Sequence, residues 1–156
     1  MPPDVNELLD ICSSIEQKTA ELYFFFSELY REMPDLARLW RKTAQEEENH
    51  MRQFQMAVRL SKNSTFTAAV SPLHAQQALD MITGLLERLR EHPPTWHNAL
   101  KFAIELEDRL SRFHTATALV FDDSSFNALY QAMMKHDQDH VQALSRYLES
   151  PTDQEV

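Results

Sequence analysis

Glycine occurs once in these 156 residues, and so does cysteine. A single glycine leaves little material for the tight turns of a β-rich fold and points to long helices. The lone Cys12 excludes an internal disulfide and any all-cysteine metal site, and it suits a reducing compartment. Basic residues are also scarce: 15 Lys and Arg stand against 24 Asp and Glu, for a net charge of −9. That balance argues against nucleic acid or an anionic membrane surface as partner. Long apolar runs are missing. The longest, Leu22 to Phe26, is far shorter than the roughly 20 residues of a membrane-spanning helix. The opening Met-Pro-Pro-Asp has neither the basic region nor the apolar stretch of a secretory signal. With 43% hydrophobic residues the chain can bury a core. The expectation is one all-α, cytoplasmic domain over 1–156, its core spanning about 4–149.

Apolar residues recur at steps of three and four through most of the chain, the period of a helix face that packs inward. A first helix is predicted from Asp4, with Glu7 as its capping-box partner, and its stripe runs Leu8, Cys12, Ile15/Glu16, Thr19, Tyr23, Phe26. Pro34 suits the first turn of a second helix reaching about Lys62. After a polar stretch from Asn63 to Ser71, Ser71-Pro72 opens a shorter amphipathic helix with Leu79, Ile82, Leu86 and Leu89 on one side. His92-Pro93-Pro94-Thr95 breaks it. A further helix runs to about Phe121, and Asp122-Asp123-Ser124-Ser125 forms a turn and cap. The last helix reaches about Glu149, and Pro151 to Val156 is expected to fray.

Two of these stripes are interrupted by the same chemistry. Around Glu47-Glu48-Asn49-His50 the inward face reads Leu36, Leu39, Trp40, Thr43, Glu47, His50, Phe54, Ala57. Around Asp137-Gln138-Asp139-His140 it reads Phe126, Leu129, Met133, Asp137, His140, Leu144, Leu148. A carboxylate and an imidazole enter a helical core together, twice. A buried, unpaired carboxylate costs several kcal/mol against a total stability of roughly 5–15 kcal/mol, so a compensating charge is required, and a bound cation supplies it economically.

The halves of the chain repeat. Asp137 and His140 follow Glu47 and His50 by 90 residues, and Leu106-Glu107 through His114 follow Ile15-Glu16 through Tyr23 by 91. This selects Glu107, rather than Glu105, as the counterpart of Glu16. Residues equally far from a hairpin turn lie level in antiparallel helices. Glu16 and His50 are centred on Met33, and Glu107 and His140 between Asp123 and Ser124, so each hairpin brings its lone Glu level with its carboxylate-x-x-His pair. The connection from Lys62 to Thr95 is long enough to return along the bundle. Glu16, Glu47, Glu107 and Asp137 then converge with His50 and His140. Their formal charge of −4 balances two divalent cations, and oxygen-rich donors with one His per metal favour Fe or Mn over a structural Zn site.

A Glu from each of two helices with Glu-x-x-His from the other two is the ferritin-like di-iron arrangement. On Glu16 with Tyr23 seven residues on, Glu47-x-x-His50, Glu107 and x-x-His140, over about residues 5–149, the sequence resembles the ferritin-like di-iron carboxylate superfamily, nearest rubrerythrin and its relatives. The resemblance implies a ferritin-like four-helix bundle of two antiparallel hairpins, with a long crossover carrying an extra short helix. It implies two Fe ions (Mn or Zn being possible) held by Glu16, Glu47, His50, Glu107, Asp137 and His140 and bridged by carboxylates, most naturally Glu47 and Glu107. The reaction class is Fe(II) oxidation with reduction of hydrogen peroxide or dioxygen. Asp137 stands where the family usually has Glu. Ile104 stands where rubrerythrins carry a further Glu, which makes the set more like a bacterioferritin ferroxidase centre. No rubredoxin-like Cys-x-x-Cys pair is present, so the electron donor is expected to be a separate protein. A homodimer is expected too, because Phe25 lies about 180° from Glu16 on the first helix and needs a cover: a second subunit, or the helix from about Pro72. The rival functions are iron storage or delivery without turnover, and a structural bundle with a polar core.

Other residues carry weaker expectations. Tyr23 and His114 lie two turns past Glu16 and Glu107, and can hold those carboxylates in place; Tyr23 is the candidate for a catalytic role and His114 for a seventh ligand. Ala20 and Ser111, one turn past the same carboxylates, are small enough to leave room for an oxidant. Cys12 reads as a small core residue, and Glu46, Glu48 and Asp139 as solvated charges. His136, one turn before His140, is an alternative chelator.

Overall fold

The computed structural model describes residues 5–60, 71–118 and 124–153, and among them every regular element is a helix. Five helices follow in order: α1 Val5–Leu29, α2 Pro34–Leu60, α3 Pro72–Glu91, α4 Trp96–Ala118 and α5 Ser124–Glu149. The expected capping residue Asp4, the stretch 61–70, the turn at 119–123 and the side chains of Phe126, Leu129 and Tyr130 lie outside the described residues.

α1 packs chiefly on α2 and α4 on α5, giving the two expected hairpins. Tyr30 to Met33 makes the first turn, closed by the Met33 N–H on the Tyr30 carbonyl at 2.9 Å. α3 carries the crossover and is a full 20-residue helix. Ser71 caps it, its hydroxyl accepting from the His74 N–H at 3.2 Å, and Pro72 sits where its missing N–H is not needed. Beyond His92, Pro93-Pro94 cannot continue the helix. α3 lies against α1 with Ala75, Ile82 and Leu86 buried, and Phe25 is half-buried in the same core. The fold thus supplies intramolecular cover for the face that Phe25 occupies.

The core is heaviest between α1 and α2. Tyr23, Phe26, Trp40 and Phe54 are fully buried, and the rings of Phe26 and Trp40 lie 4.9 Å apart. Burial of such side chains stabilises by about 1.5–3 kcal/mol each. Cys12 is buried in this core; burial first, then Glu16, pushes its thiol far above the ordinary range, so it is an inert packing residue, as expected. No described helix is long and apolar enough to cross a membrane.

One expectation is overturned. The tail does not fray immediately after α5: residues 151–153 fold back onto the start of α2. The Asp153 carboxylate accepts from the Asp35 and Leu36 N–H groups, both at 2.9 Å, and from the Tyr147 hydroxyl at 2.5 Å. Thr152 donates to Asp35 at 2.8 Å. Pro34 brings no N–H of its own, so the next two donors of α2 are satisfied by a cap from the far end of the chain. This clasp joins the two helices that carry the carboxylate-x-x-His motifs.

Candidate metal centre

All six residues singled out by spacing are buried: Glu16, Glu47 and Glu107 at 0%, His50 at 0%, Asp137 at 0% and His140 at 3% exposure. Each arrives there because it replaces an apolar residue on an inward stripe. α1 supplies Glu16, α2 Glu47 and His50, α4 Glu107, and α5 Asp137 and His140. Their donor atoms fall into two groups, Glu16–Glu47–His50 and Glu47–Glu107–Asp137–His140, each with its atoms within 4.8 Å of one another. Glu47 belongs to both, as a bridging carboxylate must, whereas Glu107 falls in the second group only. Asp137, though one methylene shorter than Glu, still reaches its group.

The atoms these residues turn toward one another are the ones left without hydrogen bonds. Glu16 Oε2, both Glu47 oxygens, His50 Nδ1, Glu107 Oε2, Asp137 Oδ1 and His140 Nδ1 are all buried and unpaired. The ring nitrogens approach the carboxylates closely, with His140 Nδ1 at 3.1 Å from Glu47 Oε1 and His50 Nδ1 at 3.5 Å from Glu47 Oε2, without hydrogen-bond alignment. Buried polar atoms are nearly always satisfied in folded proteins. Orphans on every member of one six-residue cluster leave a site that could hold a cation.

Around this space the remaining atoms are held. The Tyr23 hydroxyl donates to Glu107 Oε1 at 2.6 Å, so Tyr23 holds a carboxylate on α4 rather than Glu16 on its own helix. Burial first, then the charge of Glu107, raises its phenol well above the usual range, so it stays a donor. His114 is fully used, with Nε2 at 2.7 Å from Glu16 Oε1 and Nδ1 at 2.7 Å from Asp137 Oδ2. It ties the two donor groups together through Glu16 and Asp137. Two partners escaped the sequence. Glu46, expected in solvent, is half-buried and accepts from His140 Nε2, while His136 Nδ1 lies 3.0 Å from His50 Nε2. A usable signal was the 90-residue repeat, which maps Glu46 onto His136.

The electrostatics follow from burial opposed by pairing. Burial would lower His50, but Glu16 and Glu47 raise it to about 10. His140 is raised against burial by Glu107, Glu46 and Glu47, and His114 by Glu16 and Asp137. Burial would raise Glu16, yet the charge and hydrogen bond of His114 hold it at about 2. Burial and the neighbouring Glu47 raise Glu107; burial raises Asp137 as well, against His114. Glu16, Glu107 and Asp137 are thus set against three imidazoles, the behaviour of a ligand set that can exchange protons for a divalent cation.

Two cavities flank the cluster. One of about 300 Å³ is lined by Ser111 and Asp137 with Asp108, Gln138, Val141 and Gln142; Ala20 is buried. The other, about 430 Å³, is lined by Glu46, His136, Asp139 and His140 together with Lys42 and Arg146. Comparison of the chain with known protein families, characterised proteins and solved structures gives no match. What is established is a bundle that is all-α, with five helices, among the described residues, and whose buried carboxylate–imidazole cluster could hold a metal ion.

Proposed function

We propose that this protein is a di-iron carboxylate protein of the ferritin-like, rubrerythrin- or bacterioferritin-like kind, oxidising Fe(II) with reduction of hydrogen peroxide or dioxygen. The observation that carries the reading is the set of orphaned donor atoms on Glu16, Glu47, His50, Glu107, Asp137 and His140, gathered in two groups that share Glu47. Four carboxylates with two imidazole donors suit two divalent cations of the Fe or Mn type, with Zn a possible occupant. Two Fe(II) bound there would supply two electrons, which with two protons convert hydrogen peroxide to two waters as both irons become Fe(III).

The chain's own residues prepare the site. Tyr23 fixes one oxygen of Glu107 and leaves the other facing inward. His114 holds one oxygen each of Glu16 and Asp137, leaving their second oxygens as donors. The cluster is buried, and a small oxidant would approach it from the space beside Ser111 and Asp137. Re-reduction would need a separate electron-donor protein; with Phe25 packed in the chain's own core, the apolar face that called for a second subunit has a cover within the chain.

A structural polar core is the second reading, favoured by one observation. His114 adds a third imidazole at 2.7 Å from two carboxylates, so protonated histidines balance much of the negative charge. The test is to load the protein with Fe(II) and mix it with oxidant in a stopped-flow spectrophotometer. Fast ferric absorbance with hydrogen peroxide, slower with dioxygen, and iron staying at about two per chain support the enzyme. Tens of irons per chain after repeated additions indicate storage, and no iron uptake indicates the structural core.

A further inference from the structure

The residue before each motif carboxylate is Glu46 in the first motif and His136 in the second, 90 residues apart. Each reaches across to the imidazole of the other motif: Glu46 to His140 Nε2, His136 to His50 Nε2. The crossing follows from helix geometry. Positions 46 and 50 are one turn apart on α2, as are 136 and 140 on α5, and α2 touches α5. Position i of each helix thus meets position i+4 of the other. In both imidazoles the engaged nitrogen is Nε2, and the inward Nδ1 is buried and unpartnered.

Building on the metal-binding reading above, we propose that Glu46 and His136 are reciprocal positioning residues, each fixing the ring and the inward Nδ1 of the opposite motif's histidine, and that their different chemistry makes the two cation positions unequal. A carboxylate only accepts. Glu46 therefore keeps the hydrogen of His140 on Nε2 and leaves Nδ1 as a lone-pair donor, the arrangement by which a carboxylate strengthens a metal-binding histidine. His136 accepts at Nδ1 only in the tautomer that carries its hydrogen on Nε2. It is exposed and has no negative charge to lend, so its hydrogen bond is the weaker of the two. Its ring does stack on His50, with centroids 5.2 Å apart and planes 12° from parallel, so it still restrains that ring. A surface ion pair with no tie to the site would leave metal affinity untouched. Here the half-exposed Glu46 and the exposed His136 share one solvent-reaching cavity of about 430 Å³ with His140, so either can be replaced without opening the core.

The experiment is anaerobic calorimetric titration with Fe(II), repeated with redox-silent Zn(II), on wild type, E46A, E46Q and H136A. E46A should weaken one of two ions by about 10–100-fold with the helical content of chelator-treated protein unchanged. E46Q, whose amide oxygen still accepts, should recover part of that loss. H136A should weaken the other ion by no more than about 10-fold. In an H140A background E46A should add nothing, whereas in an H50A background its effect should persist. Two ions bound by E46A and H136A within about twofold of wild type would overturn the proposal, as would a full E46A effect in the H140A background. A wild type that takes up no metal would overturn the metal-binding reading itself, and the positioning roles with it.

Discussion

Replacing Asp153 by Ala removes a clasp between the end of the chain and the start of α2. The carboxylate accepts two backbone N–H groups of α2 at 2.9 Å and the Tyr147 hydroxyl at 2.5 Å. Losing a helix N-cap costs about 1 kcal/mol. Leaving the Tyr147 hydroxyl, on a side chain that is 7% exposed, without its partner costs about 1 kcal/mol more. No further amount is added for the charge, because Asp153 is half-exposed and solvent screens it. The sum of about 2 kcal/mol, with an unfolding entropy of about 330 cal/mol/K for a chain this long, lowers the melting midpoint by about 6 °C. Burial would raise the Asp153 carboxyl, but Tyr147 and the two N–H groups outweigh it, and its pKa in the folded protein lies below the ordinary value. The contribution is therefore fully present above the unfolded pKa of about 3.9 and is lost as pH falls through the lower folded value. Urea unfolding of wild type and D153A should differ by about 2 kcal/mol at pH 7, with the difference narrowing as pH falls below about 4. A difference under about 0.5 kcal/mol at pH 7 would refute the clasp.

Three further outcomes follow from the same geometry. Tyr23→Phe strands Glu107 Oε1 in the core and should cost about 1–3 kcal/mol in chelator-treated protein, read by urea unfolding; no change would mean that Glu107 has another partner. His114→Leu unpairs Glu16 and Asp137 and should cost about 3–5 kcal/mol without metal, shrinking with saturating Zn(II), whose charge replaces the imidazolium; an equal loss with and without Zn(II) would place the cation elsewhere. Gly84 is the sole glycine and lies inside α3, where an added Cβ meets nothing within 4 Å, so Gly84→Ala should raise stability by about 0.5–1 kcal/mol, and a lower melting midpoint would contradict it.

The six clustered residues were legible in the sequence because each breaks an otherwise apolar stripe at the correct helical phase. The repeat then chose Glu107 over Glu105, which the structure leaves exposed and paired with Arg109 at 2.9 Å. Periodicity assigns a residue to a face, however, and says nothing of what a side chain near the edge of that face will reach. Glu46 and His136 sit at such edges, and only the approach of α2 to α5 turns them into partners of His140 and His50. His114 was placed on the inward face correctly, but its two contacts depend on the rotation of α4 against α1 and α5. Asp153 lies in a polar tail with no local pattern, and its role as a cap on a helix more than a hundred residues earlier is purely tertiary.

Anaerobic titration of the metal-free protein with Fe(II), followed by removal of unbound iron and elemental analysis, tests the central claim most directly. The account requires about two irons per chain, from the balance of four carboxylates against two divalent ions. Glu47→Ala should abolish both, because Glu47 belongs to both donor groups. Glu48→Ala, which removes a partly exposed partner of Arg52, should change neither. A stoichiometry near zero in a fully helical protein, or two irons retained without Glu47, would contradict it.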